Sequence, residues 1–185
     1  MSKKALIVLA EDFEEIEALA PLDILRRAGI KCTLAAQLEN KFVIGKTGLQ
    51  VVANRLLSQC YEQDYDLLLL PGGPGVRHLC EDEDLRKMIL RQIEGDRWLA
   101  AICAAPLVLA KAGLIPEPYN RLTGHFSIRD KMPCPLLPEP VVQCGNLTTS
   151  CGAGTAIPFA LQLVENLLGP EVRQEVAEAI MYKDD

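Results

Sequence analysis

Trp98-Leu-Ala-Ala-Ile-Cys-Ala-Ala-Pro106 is an apolar run that halts at one cysteine and continues as helix-forming sequence. It reads as a buried strand, a sharp turn and a helix start, with Pro106 suited to the first helical turn. The thiol of Cys103 falls at the turn. Backbone N–H groups at a helix start carry partial positive charge and favour a thiolate over a thiol. The expectation is a cysteine whose pKa drops from about 8.5 to roughly 5–6, which makes it a nucleophile at neutral pH. A cysteine at an ordinary strand end is only a small apolar filler. Here the turn, and the partners proposed below, point to chemistry.

Working outward, the same alternation recurs. Ala5–Ala10 is a continuous apolar run, as in a strand covered on both faces. Glu14–Ala28 has helical spacing and stops at Gly29; Pro21 is expected to bend it or split off its first turn. Lys31–Ala36 is the next strand, and Phe42–Ile44 with Gln50–Ala53 forms a ribbon around Gly45-Lys-Thr-Gly48. Tyr65–Leu70 is a buried strand ending in Pro71-Gly-Gly-Pro-Gly75, and Asp84–Glu94 is an amphipathic helix. Trp98–Ile102 and Pro106–Ala112 make the strand–helix unit around Cys103. Val141–Gln143 and Leu147–Thr149 form a hairpin, and Thr155–Leu168 and Glu171–Met181 are helices. Strands alternating with helices predict an α/β fold: a mostly parallel sheet with helices on both faces, in one domain over residues 1–185. Gly113–Pro138 is irregular and is expected to form a flap over the site.

Composition narrows the function. The chain has 185 residues, 49% of them hydrophobic, and a net charge of −6 without a basic block, which argues against nucleic acid and anionic membrane as partners. No apolar stretch reaches the roughly 18 residues of a membrane span. Acidic residues from Glu11 follow only six apolar ones, too few for a signal peptide, so a cytoplasmic protein is expected. Seven cysteines at irregular spacing form no Cys-x-x-Cys pair, and only two histidines exist, so neither a disulfide framework nor a metal site is expected. The glycine loop lacks the spacings that cradle phosphates or dinucleotides, and no cofactor is implied.

Active sites in such folds lie beyond the carboxyl ends of the strands. Cys103 and the Gly72-Gly73 loop both fall there. Glycines let backbone N–H groups approach a ligand, so Gly72, Gly73 and Ala104 are candidate donors to an oxyanion on a carbonyl attacked by Cys103. Glu14 and Glu15 suit a first helical turn by charge alone. Glu17 follows Ile16 in a register that faces the sheet end; buried beside the thiol, its carboxyl would keep a proton and move it during catalysis. His125, in Leu122-Thr-Gly-His-Phe126, enters the expected flap and is the third candidate. His78 reads as a surface residue near a helix start. Cys151, in Thr149-Ser-Cys-Gly-Ala-Gly154, is a secondary reactive thiol.

Several stretches together carry a family resemblance: Ala5-Leu-Ile-Val-Leu-Ala10, Glu14-Glu-Ile-Glu17, Arg27-Ala-Gly-Ile-Lys31, Leu70-Pro-Gly-Gly73, Ala100-Ala-Ile-Cys-Ala-Ala-Pro106 and Gly152-Ala-Gly-Thr155. In this order they resemble the ThiJ/PfpI superfamily over essentially the whole chain, closest to the branch of the parkinsonism-associated protein DJ-one and its bacterial relatives. The resemblance implies a flavodoxin-like three-layer sandwich, a homodimer, and Cys103 as the thiol of a nucleophile elbow. Glu17 matches the family's protonated glutamate, His125 its nearby histidine, and Gly72 and Gly73 its backbone-donor loop. Ala104 stands where the peptidase branch has histidine, which ranks peptidase activity low. Thr47 and Cys151 stand where relatives often carry arginine, which predicts a rim with less positive charge. The implied activity is a cofactor-free glyoxalase or deglycase on methylglyoxal-like dicarbonyls or their early adducts, in stress protection. The alternative is a redox-sensing or chaperone protein that uses oxidation of Cys103 without turnover. An amidotransferase ranks lowest, because no His-x-Glu occurs.

Overall fold

The structure, a computed structural model, describes residues 2–183. Met1, Asp184 and Asp185, which the expected domain span includes, lie outside the described residues. The chain opens with β1 (Lys4–Leu9), α1 (Glu15–Arg27) and β2 (Lys31–Ala36). The strands β3 (Phe42–Ile44) and β4 (Gln50–Val52) pair antiparallel as a separate ribbon, followed by β5 (Arg55–Leu56) and β6 (Leu67–Leu70). Next come α2 (Val76–Glu81), α3 (Glu83–Glu94), β7 (Trp98–Ile102) and α4 (Pro106–Lys111). A hairpin of β8 (Val141–Cys144) and β9 (Leu147–Ser150) precedes α5 (Ala156–Leu168) and α6 (Pro170–Ala179).

Among the described residues the main sheet has seven strands in the order β5-β2-β1-β6-β7-β9-β8, all parallel except β8. Its inner five strands, renumbered by occurrence, run 2-1-3-4-5, the flavodoxin-like order. The unbroken apolar strands follow from burial on both faces. Ala5, Ile7 and Leu9 of β1 pack with α1 and α5, while Leu6 and Val8 face the opposite layer with α3 and α4. The same split separates Leu67 and Leu69 from Leu68 and Leu70 in β6.

Two expectations need correction, and one strand went unread. Helix α1 runs unbroken through Pro21, which is buried against the core and tolerates the lost N–H. The two-residue edge strand β5 was too short to leave a periodic signal. Gly113–Pro138 is not a flap: Leu114, Ile115, Tyr119 and Leu122 are core residues. Only its later part, His125 and the 3-10 segment Phe126–Lys131 that follows it, reaches the site.

Candidate active site

Cys103 follows β7 with φ of +63°, the left-handed region that a non-glycine residue enters only when its surroundings enforce it. Three backbone bonds enforce it. Cys103 N–H donates to the Ser150 carbonyl at 2.9 Å, Ala105 N–H to the Ile102 carbonyl at 3.0 Å, and His125 N–H to the Cys103 carbonyl at 2.8 Å. This is the expected elbow, with the thiol half-buried on the wall of a cavity of about 520 Å³.

Glu17 reaches the thiol from α1. Glu14 caps that helix, its carboxylate accepting the Glu17 N–H at 2.9 Å, and so fixes the register that turns Glu17 inward. Glu17 is 1% exposed and accepts the Gly72 N–H at 3.0 Å and a hydrogen bond from the Cys103 thiol. Burial pushes Glu17 up to about 7 from its ordinary 4.5, the Glu14 charge adds to the rise, and the bonds from Cys103 and Gly72 oppose it.

The thiol itself departs from the sequence expectation. Burial pushes Cys103 up to about 12, helped by the negative charge of Glu17 and by its hydrogen bond to that carboxylate. The N–H groups of Gly73 and Ala104 donate to the sulfur and pull the other way. Two backbone dipoles do not outweigh burial beside a carboxylate, so the sulfur is not a standing anion. At neutral pH the thiol keeps its proton, and the neighbouring Glu17 carboxyl is the group that titrates, near 7.

Glycine is required in the loop after β6 because the chain passes so close. A Cβ on Gly72 would lie 2.5 Å from Glu17 Oε2 and 2.6 Å from Cys103 Cβ. Gly73 has φ of +95°, and a Cβ there would meet the Asp12 carbonyl at 2.5 Å. Of the three expected backbone donors, Gly73 and Ala104 face the sulfur, whereas the Gly72 N–H is committed to Glu17. Gly72 is therefore a positioning residue and no oxyanion donor.

His125 joins the same point. A Cβ on Gly152 would lie 3.6 Å from Glu17 Oε1, 3.8 Å from His125 Cδ2 and 3.9 Å from Cys103 Sγ. Ser127 holds His125 Nδ1 at 2.8 Å, which leaves Nε2 beside the Cδ2 edge without a partner among the described residues. Cys151 does not join them. Its thiol donates to the Glu139 carbonyl at 3.3 Å, lies 3.1 Å from Thr123 Oγ1, and lines a separate cavity of about 270 Å³ that shares only His125 and its neighbourhood with the site. Just past the end of β9, Gly152 lies against Cys103 while the Cys151 side chain is held by Thr123 and Glu139 instead.

Several cavity-lining residues escaped the sequence reading. Lys46, Arg77 and Lys131 line the cavity, so the rim is not stripped of cations despite Thr47 and Cys151. Thr47 donates its N–H and hydroxyl to Glu15 at 2.8 and 2.5 Å. Burial works to raise Glu15, and these bonds outweigh it, so the carboxylate is held below its ordinary value. The three-residue spacing of Glu14 and Glu17 was the one readable signal of a cap; nothing local marks the three cations. The described residues contain no cluster of three metal-ligating side chains.

Fold and site together define a flavodoxin-like sandwich with a cysteine elbow, a buried carboxyl and a histidine at one sheet end. The DJ-1/PfpI family matches residues 3–166, and the chain belongs to that family. It is 38% identical to protein dj-1beta of Drosophila melanogaster, covering 98% of both chains. It is 36% identical to the glutathione-independent glyoxalase DJR-1.2 of Caenorhabditis elegans, covering 91% of both. Among solved structures, oxidized DJ-1 of Toxoplasma gondii superposes with a TM-score of 0.94 at 31% identity, covering 99% of this chain and 100% of that one.

Proposed function

We propose that this protein is a cysteine-dependent, cofactor-free glyoxalase or deglycase acting on methylglyoxal-like dicarbonyls or their early adducts. The observation that carries the reading is the convergence of Cys103 Sγ, Glu17 Oε1 and the free edge of His125 on one point. The similarity to a glutathione-independent glyoxalase supports it.

Cys103 attacks the aldehyde carbon as its proton passes to the Glu17 carboxylate, so an adjacent base supplies the activation that a low thiol pKa would otherwise give. The new oxyanion meets the N–H groups of Gly73 and Ala104 and takes up a proton, giving a hemithioacetal. The C1 proton then moves to C2 through Glu17 and His125, turning the hemithioacetal into a thioester. Water cleaves the thioester, releasing lactate and the free thiol. A carboxyl that titrates at about 7 serves both as acceptor and donor at neutral pH. The test is methylglyoxal consumption without glutathione in wild type and Cys103→Ala: loss of turnover in the variant is expected, and equal rates would end the proposal.

A second reading, redox sensing or chaperone activity through oxidation of Cys103, gains support from the oxidized relative. The same N–H groups and the Glu17 acid would hold a sulfinate. Intact mass after mild peroxide decides it, since sensing requires oxygen to appear at Cys103 alone. We further propose a single-domain cytoplasmic homodimer. Among the described residues no helix is long and apolar enough to cross a membrane.

A further inference from the structure

The wall of the Cys103 cavity is cationic in an acidic protein. The chain carries a net charge of −6, yet Lys46, Arg77 and Lys131 line the cavity, and among the described residues Glu17 is the only acid that lines it. The cations come from three separate places: the turn of the β3–β4 ribbon, α2, and the end of the 3-10 segment. Lys46 is 3.9 Å from Glu14, whose carboxylate already caps α1, and Arg77 is 3.2 Å from Asp12. Lys131 makes no ion pair among the described residues.

The reaction as proposed leaves these charges without a task. The reacting oxygen is served by backbone N–H groups, and the proton by Glu17 and His125. Methylglyoxal carries no charge, and a cavity of about 520 Å³ is sized for ligands well beyond three carbons. A cationic wall of this kind concentrates anions and steers them inward.

Resting on the glyoxalase reading, we propose that the preferred substrates are anionic α-oxoaldehydes, with the aldehyde at Cys103 and a distal carboxylate against Lys131, Arg77 and Lys46. For 4,5-dioxopentanoate the same steps apply: addition of the thiol to the C5 aldehyde, proton transfer from C5 to C4, and cleavage of the C5 thioester by water to 2-hydroxyglutarate. No oxidant or reductant enters.

The experiment measures kcat/KM for 4,5-dioxopentanoate and for methylglyoxal, following 2-hydroxyglutarate and lactate, at low and high ionic strength. The expected ratio is tenfold or more in favour of the carboxylate at low salt, collapsing toward one at about 0.5 M salt, where charges beyond roughly 4 Å are screened. Lys131→Met should lower the ratio several-fold and Lys131→Arg should restore it. A ratio near or below one that ignores salt overturns the proposal while leaving methylglyoxal turnover intact. Absence of turnover with both aldehydes overturns the glyoxalase reading and this proposal with it.

Discussion

At the level of single residues the proposed chemistry turns on Glu17, because burial moves its titration into the working range. Folded, it titrates at about 7, against 4.5 ordinarily. Between these values the folded state holds a proton that the unfolded state has released. Its contribution to stability is therefore complete below about 4.5 and is lost as pH rises through about 7. Glu17→Gln keeps the shape without the charge. The variant should match wild type near pH 4 and exceed it at pH 8 by up to about 3 kcal/mol in urea unfolding. Its activity profile should also lose the rise through pH 7 that wild type owes to the Glu17 carboxylate. A wild-type profile flat across that range would remove Glu17 from the proton transfer.

Helices and strands matter here chiefly for where they end. The elbow exists because β7, β9 and the segment before the 3-10 turn all bond the backbone around Cys103. The layer behind α2 depends on another terminus. Asp82 caps α3, accepting the Leu85 N–H at 2.8 Å, and also receives Tyr61 and Gln37 side chains. Asp82→Ala removes the cap and leaves the Tyr61 hydroxyl without that acceptor. It should cost roughly 1–2 kcal/mol and lower Tm by about 2–6 °C, with methylglyoxal kinetics unchanged at 25 °C. A thermal shift below one degree would show that the cap is dispensable.

Across the whole molecule, the ribbon presents an apolar face to solvent. Phe42 and Val52 are cross-strand partners and both are exposed, as are Ile44 and Leu49. Ile16 of α1 is exposed too, and the Phe13–Gly45 bridge ties the ribbon to the start of that helix. We propose this exposed apolar cluster as an interaction site, with a second copy of the chain as its occupant. Sedimentation should report a dimer for wild type and a monomer for Phe42→Lys/Val52→Lys. A wild-type monomer at micromolar concentration would refute the proposal.

The strand–helix alternation, the two-sided burial of β1, β6 and β7, the turn at Cys103 and the inward register of Glu17 were all legible in the sequence, because each follows from periodicity and turn chemistry within a few neighbouring residues. The tertiary structure alone decided the proton balance of the Cys103–Glu17 pair, the commitment of Gly72 to Glu17, the separate pocket of Cys151 and the gathering of Lys46, Arg77 and Lys131. A titration is set by burial and by charges brought close through space, and a cavity wall is assembled from segments tens of residues apart. Neither leaves a periodic trace along the chain.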